Sequence, residues 1–249
     1  MVRAIRGQRD RLEDNDSVGF LNAIQAVDGT FLAFKLDEAR LVERVFWAYP
    51  EQQKNAVAFG EVVIFDTTFN TNNLGFGLVL MVTVDSENKT RIVCQALLRH
   101  ERTDCFEFVL EQYTKLRHGV PPEVIFTDAD KAMTAAIQEV CPLALHLYCI
   151  WHTIQNIIKR CTSVLQGRFA EMLDHFKKVA YCATPQVCKC FPRSSFRTVR
   201  ILSVTVHRVV HRKRKKWAFC FHPASLTLGM TSTSRAEGLN KVLKLRVNR

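Results

Sequence analysis

The sequence predicts an α/β fold in which a mixed sheet is flanked by helices. Two observations lead there. Short Val/Ile-rich runs end in aspartate twice, EVVIFD at 61–66 and EVIFTD at 123–128, and β-branched runs of that length read as strands. Between and after them, helix-period segments alternate with further apolar runs, the pattern of a layered α/β architecture. At 249 residues, 47% hydrophobic and 24% charged, the chain can bury one large core or two modest ones.

Residues 1–30 are polar and weakly patterned, a frayed helix or a linker. A short strand is expected through 31–35, an acidic turn at Asp37 and Glu38, then a second strand or short helix through 41–47 whose aromatics pack on the core edge. Residues 61–66 follow Gly60 as the first strand of the main sheet, and Asn70, Asn72 and Asn73 suit a turn. Residues 76–84 and 90–98 are the second and third strands, joined through DSENK at 85–89 in an antiparallel meander. Phe106, Val109, Leu110, Tyr113 and Leu116 recur at helical spacing, so 104–117 is a helix, closed by Pro121 and Pro122. Residues 124–127 form the fourth strand. A helix at 130–140 presents Ala132, Met133, Ala136, Ile137 and Val140 on one face, 145–148 is the fifth strand, and another helix starts at 151.

That order, βββαβαβ and then a helix, is the order of a ribonuclease-H-like fold with a five-stranded mixed sheet. Its topology seats strand one beside strand four and brings Asp66 and Asp128 to neighbouring strand ends. The expected organisation is an N-terminal polar segment with edge elements at 1–55, the core at 56–182, a divergent basic insertion, helical or irregular, at 183–215, and a closing part of the core at 216–249. Residues 183–212 contain no acid and show no helical period.

The net charge of +11 is uneven: residues 183–249 hold 15 Lys/Arg and one acid, Glu237, whereas 1–182 hold 20 basic and 23 acidic residues. A basic last quarter points to a polyanionic partner. No apolar run approaches the ~20 residues of a membrane helix, and the N-terminus has no apolar core of a secretory signal. Nine cysteines, several in apolar segments (Cys94, Cys105, Cys141), read as free thiols of a reducing compartment.

Cleaving a phosphodiester needs an activated oxygen nucleophile and a stabilised leaving oxygen, and two divalent ions ~3.5–4 Å apart can serve both. Mg²⁺ and Mn²⁺ take carboxylate oxygens. Asp66 is the candidate bridging ligand, Asp128 the second and Glu237 the third. Glu237 would sit in the first turns of a helix capped by Ser232, Thr233 or Ser234. Each acid alone has a plainer reading: a strand-end turn for the aspartates, a dipole-favoured helix acid for Glu237. Together, on this strand order, the catalytic reading is the better one. Asp130 opens a helix and reads as its cap.

Cys149 and His152 have metal-like spacing, but structural zinc needs four ligands. Cys188 and Cys190 are too close together, and His146 would point off a strand. Zinc is therefore the weaker reading, and a supporting role for the pair is preferred. Arg212, Lys213, Arg214, Lys215 and Lys216 are five consecutive cations that fit DNA phosphates, a nuclear-localisation patch or a solvated loop.

FGEVVIFDTTFNTN, TDADKAM with AI downstream, HLYCIWH and TSTSRAEGLNKVLK, in that order, resemble the Mutator-like element (MULE) transposase domain, which the far-red-impaired-response transcription factors of plants also carry. The likeness covers 31–182 and resumes at 216–245. It implies an Asp–Asp–Glu transposase on a ribonuclease-H-like core, with Asp66, Asp128 and Glu237 as the metal-holding triad. Cys149 and His152 match the family's Cys-x-x-His signature. Water attack at transposon ends, followed by attack of the freed 3′-hydroxyl on target DNA, is the implied chemistry. DNA is then the partner, alongside a homo-oligomer, and the nucleus the compartment. The expectation is of a truncated or degenerate copy, lacking the zinc-binding modules that relatives carry at either end. The alternatives are a domesticated DNA-binding regulator without catalysis, and a generic ribonuclease-H-like nuclease.

Overall fold

The computed structural model describes residues 17–68, 76–150, 152–156, 159, 174, 176–178, 180–181, 214–222, 227 and 235–236. The chain divides into two compact units, Met1–Leu145 with Thr233–Arg249, and His146–Ser232. In the first unit the elements run α1 (Ser17–Gln25), β1 (Phe31–Leu36), β2 (Val42–Ala48), α2 (Pro50–Phe59), β3 (Val62–Thr68), β4 (Gly77–Val84), β5 (Thr90–Leu98), α3 (Thr103–Leu116), β6 (Val124–Thr127) and α4 (Lys131–Val140). β7 (Leu145–Tyr148) begins at the last residue of that unit's main segment. Among the described residues no helix is long and apolar enough to cross a membrane.

The sheet has seven strands in the order β1-β2-β5-β4-β3-β6-β7, not five. The two additional strands are the β1–β2 hairpin, which pairs through β2 with the outer edge of β5, Trp47 opposite Gln95 and Phe46 opposite Ala96. Its integral place has a sequence correlate: every residue of β2 but Glu43 is buried. A strand covered on both faces reads as a nearly continuous buried run. Phe46 enters one core with Val63, Phe65, Met81 and Phe106. Trp47 enters another with Phe20, Ile24, Tyr49 and Leu97. Phe20 and Ile24 lie one helical turn apart on α1, and Phe20 meets the Trp47 ring edge-on at 5.9 Å.

Helix α2 is the element the hydrophobic pattern conceals, because only Gln52 and Ala56 of PEQQKNAVAF are buried. Its signals are terminal: Pro50 at the first helical position, and the Gln52 side-chain oxygen accepting the Tyr49 N–H at 2.9 Å. It ends at Gly60, where a Cβ would collide with the Ala56 carbonyl, the Tyr113 hydroxyl and Arg117 Nε.

The meander β3–β4–β5 is antiparallel throughout. β3 and β6 pair in parallel, Val62 opposite Val124, Val63 opposite Ile125 and Ile64 opposite Phe126. α3 and α4 cover one face, burying Phe106, Val109, Leu110, Tyr113, Met133, Ala136 and Ile137. α4 starts where Asp130 caps it, the carboxylate accepting the Met133 N–H at 2.9 Å. Asp130→Ala is expected to lower stability by about 0.5–2 kcal/mol, read as a shift of the urea midpoint at constant slope.

Candidate metal-binding and catalytic site

β3 is the strand at which the sheet changes sense, with antiparallel β4 on one side and parallel β6 on the other. Ligands of open α/β sheets bind beyond the carboxyl ends of parallel strands at such a switch. Asp66 lies there, two residues before the end of β3, opposite Leu80 of β4 and 6% exposed. Continuing the β3–β6 register by two residues, from Ile64 opposite Phe126, brings Asp66 level with Asp128. Adjacent strands are about 4.8 Å apart. Asp128 is half-buried, and its Oδ1 accepts the Asp130 N–H at 3.1 Å, which holds the carboxylate at the strand end.

The acidic character of this edge extends to a residue that the sequence reading passed over. Glu101 follows β5, whose last residue Leu98 pairs with Gly77 at the start of β4, so the β5–α3 loop lies at the Asp66 end of the sheet. Although Glu101 is exposed, partial desolvation and then the charges of Asp130 and Asp128 push its carboxyl above its ordinary range. The available signal was topological: a loop leaving the antiparallel neighbour of β4 must emerge beside the carboxyl end of β3. A raised folded-state pKa gives stability that is present in acid and lost as pH rises. Glu101→Gln, a mimic of the protonated form, should therefore raise metal-free stability at pH 7 by under about 1 kcal/mol. The gain should fade below about pH 4.3, as thermal melts at the two pH values would show.

The family described as MULE transposase domain matches residues 62–156, from the first residue of β3 through both aspartates and the Cys149–His152 pair. This segment is similar to the MULE transposase domain. It is 25% identical over 242 residues to Protein FAR-RED IMPAIRED RESPONSE 1 of Arabidopsis thaliana, covering 94% of this chain and 29% of that protein. It is 22% identical over 235 residues to Protein FAR1-RELATED SEQUENCE 11 of the same plant, 93% of this chain and 35% of that one. A 30% identity over 146 residues to the PKS-NRPS hybrid synthetase cheA of Chaetomium globosum covers 55% of this chain and 3% of that protein. The chain thus spans about a third of the length of these plant relatives.

Inside the matched segment the Cys-x-x-His spacing has a local physical cause. Cys149 is fully buried, and its Sγ accepts the His152 N–H at 3.4 Å while its carbonyl accepts the Thr153 N–H at 3.0 Å. The cysteine thus caps the helical residues that follow, three positions being the reach of an N-cap side chain. Thr153 Oγ1 adds a bond to the same carbonyl at 2.9 Å. His146 is buried against Tyr148, ring edge to face at 5.0 Å.

Among the described residues, a three-ligand set within 4.8 Å forms at Glu43, Asp104 and Cys105 rather than around Asp66 and Asp128. Its chemistry is not that of a cation site. Two arginines already neutralise it: Arg44 Nη2 lies 2.7 Å from Glu43 and 2.8 Å from Asp104, and Arg102 lies 2.8 Å from Glu43 and 3.2 Å from Asp104. Burial pushes the Cys105 thiol up, away from the thiolate a metal would need. This is a structural tie between β2 and the first turn of α3.

Glu237, Arg212 and Lys213 lie outside the described residues. Arg235, two positions before Glu237, donates to the Asn88 side-chain oxygen at 2.7 Å, the Asn88 carbonyl at 3.1 Å and Thr90 Oγ1 at 3.3 Å, at the β4–β5 turn. In the second unit, Arg214–Lys216 form a single 3₁₀ turn. Lys215 is exposed and Lys216 half-buried, its pKa lowered by burial. Trp217, next in the chain, is buried and packs on Phe176 at 4.8 Å between ring centroids. The end of the cation run is thus pinned to a hydrophobic contact.

Proposed function

We propose that the carboxyl ends of β3 and β6 are the catalytic centre of an Asp–Asp–Glu transposase on a ribonuclease-H-like core, acting on DNA. Asp66, Asp128 and Glu237 serve as its three acids. The supporting observation is the parallel β3–β6 register, Ile64 opposite Phe126, which continued by two residues brings Asp66 level with Asp128. The donor set fits Mg²⁺ or Mn²⁺: hard carboxylate oxygens, one on a buried strand and one at a half-buried strand end, with Glu101 adding negative potential. When bound, such ions supply charge stabilisation to the attacking and departing oxygens of an in-line displacement. Asp66 is paired with Leu80 of β4 on a strand that β6 flanks on its other side, so its carboxylate is positioned before substrate arrives. Asp128, tied to the Asp130 N–H just past the end of β6, supplies the second carboxylate from the neighbouring strand end. The run at 212–216 supplies phosphate contacts and, as a basic cluster, fits entry to the nucleus.

A second reading has its own support. The plant relatives are named for a far-red response and not for transposition, which favours a transposase-derived regulator that binds DNA without cutting it. One experiment separates these. Purified chain is incubated with Mn²⁺ and either duplex DNA carrying transposon-end sequence or an RNA/DNA hybrid. Nicking of the DNA that is lost in Asp128→Asn supports the transposase. Salt-sensitive DNA binding with no nicking, unchanged by Asp66→Ala, supports the regulator, and cleavage confined to the hybrid means a ribonuclease-H-like nuclease.

A further inference from the structure

The strand register places a polar row beside Asp66. Asp66 pairs with Leu80, Leu80 with Gln95, and Gln95 with Trp47, across β3, β4, β5 and β2. Directly paired residues project to the same face of a sheet, so Asp66, Gln95 and Trp47 share one face at one level, with only Leu80 between the carboxylate and the carboxamide. Gln95 is 1% exposed and Trp47 3%. Among the described residues, neither the Gln95 Nε2 and Oε1 nor the Trp47 Nε1 has a hydrogen-bond partner.

A buried amide with both ends unsatisfied is a standing cost to the fold, and native structures hold few such groups without a use for them. Here the amide and the indole belong to cross-strand neighbours on β5 and β2 yet are not bonded to each other. On the other side of Gln95, two strand spacings away, about 9.6 Å, lies the aspartate assigned to a hydrated divalent cation. Amide carbonyls are ordinary oxygen donors to such cations, and groups just outside the ligand shell orient it.

We infer that Gln95 is a positioning residue of the Asp66 centre, its carboxamide supplying a neutral oxygen and N–H donors toward the hydrated divalent cation held by Asp66 and Asp128. The inference rests on the metal-binding reading of those aspartates. It explains why a glutamine is kept in the middle of a sheet face otherwise lined by Ile64, Leu80 and Leu97.

The test is Mn²⁺ calorimetry on the full chain together with thermal melts in metal-free buffer, for wild type, Gln95→Met, Gln95→Glu, Trp47→Phe and Asp66→Asn. Gln95→Met keeps the side-chain volume and removes the polar atoms. It should weaken Mn²⁺ binding about 10–100-fold while raising the metal-free midpoint by about 2–4 °C. Gln95→Glu, which retains an oxygen donor, should hold the wild-type affinity or exceed it. If Gln95→Met leaves Mn²⁺ affinity within twofold of wild type, the inference fails. It fails also if Gln95→Met and Trp47→Phe both lower the midpoint without moving the affinity, for then the amide and indole serve each other. Affinity that falls in Asp66→Asn but not in Gln95→Met removes the role of Gln95 alone. Absence of Mn²⁺ binding by wild type, or binding indifferent to Asp66→Asn, removes the metal reading and the inference with it.

Discussion

Asp66→Asn should reduce Mn²⁺ affinity by at least 10-fold and DNA strand cleavage by about 10³-fold, with the fold intact. The substitution keeps the shape of a side chain that is 6% exposed between two hydrogen-bonded strands, and removes its charge. Stabilising the attacking and departing oxygens through bound cations is worth several kcal/mol, and each 1.36 kcal/mol is about a factor of ten in rate. The companion measurement is the metal-free melting midpoint, which should move by no more than about 2–4 °C, so a folding defect cannot pass for a catalytic one. Mn²⁺ affinity that survives the change would mean that Asp66 is a buried structural acid, and the proposed centre would be abandoned.

Arg44→Met should cost about 3 kcal/mol, the lower end of the range for removing one partner of a buried ion pair. Arg44 is 5% exposed and makes four attachments. It bonds the Glu43 and Asp104 carboxylates, donates to the Asp104 carbonyl at 2.7 Å, and lies over the Phe108 ring at 5.9 Å. Methionine retains packing against Phe108 and strands the acids with Arg102, which is half-exposed. The lower end applies because the Asp104 side chain is itself 49% exposed and water screens part of the loss. At this chain length the midpoint should fall by about 6–12 °C. The effect carries a pH signature. Burial would raise the Asp104 pKa, but the bonds to Arg44 and Arg102 outweigh it and hold the carboxyl below its usual range. A depressed carboxylate pKa gives stability that is complete above about pH 4 and lost as pH falls through the lower folded value. The gap between wild type and Arg44→Met should therefore narrow in acid. A gap that stays constant to pH 2 would assign the cost to packing.

β5, β6 and β7 begin and end where the pattern of the chain places them, and Asp130 caps α4 as its position before an apolar-periodic run requires. These are local matters: β-branched runs with turn residues at their ends, and a short acid ahead of a helix. The β1–β2 hairpin and α2 were harder to read. A strand buried on both faces and a helix with little apolar stripe both lack the periodic contrast on which such reading depends. Glu101 stands 27 residues before Asp128, and only the sheet order places its loop at the same edge.

The sequence by itself determined which aspartates the proposed centre draws on, two at the ends of two β-branched runs, and the family likeness that gives them meaning. The tertiary structure alone decided their neighbours. Whether Asp66 meets Asp128, whether Gln95 shares its face, and whether Glu43 and Asp104 bind arginine in place of a metal all depend on register between strands. Register is set by burial summed over the whole sheet and not by any segment.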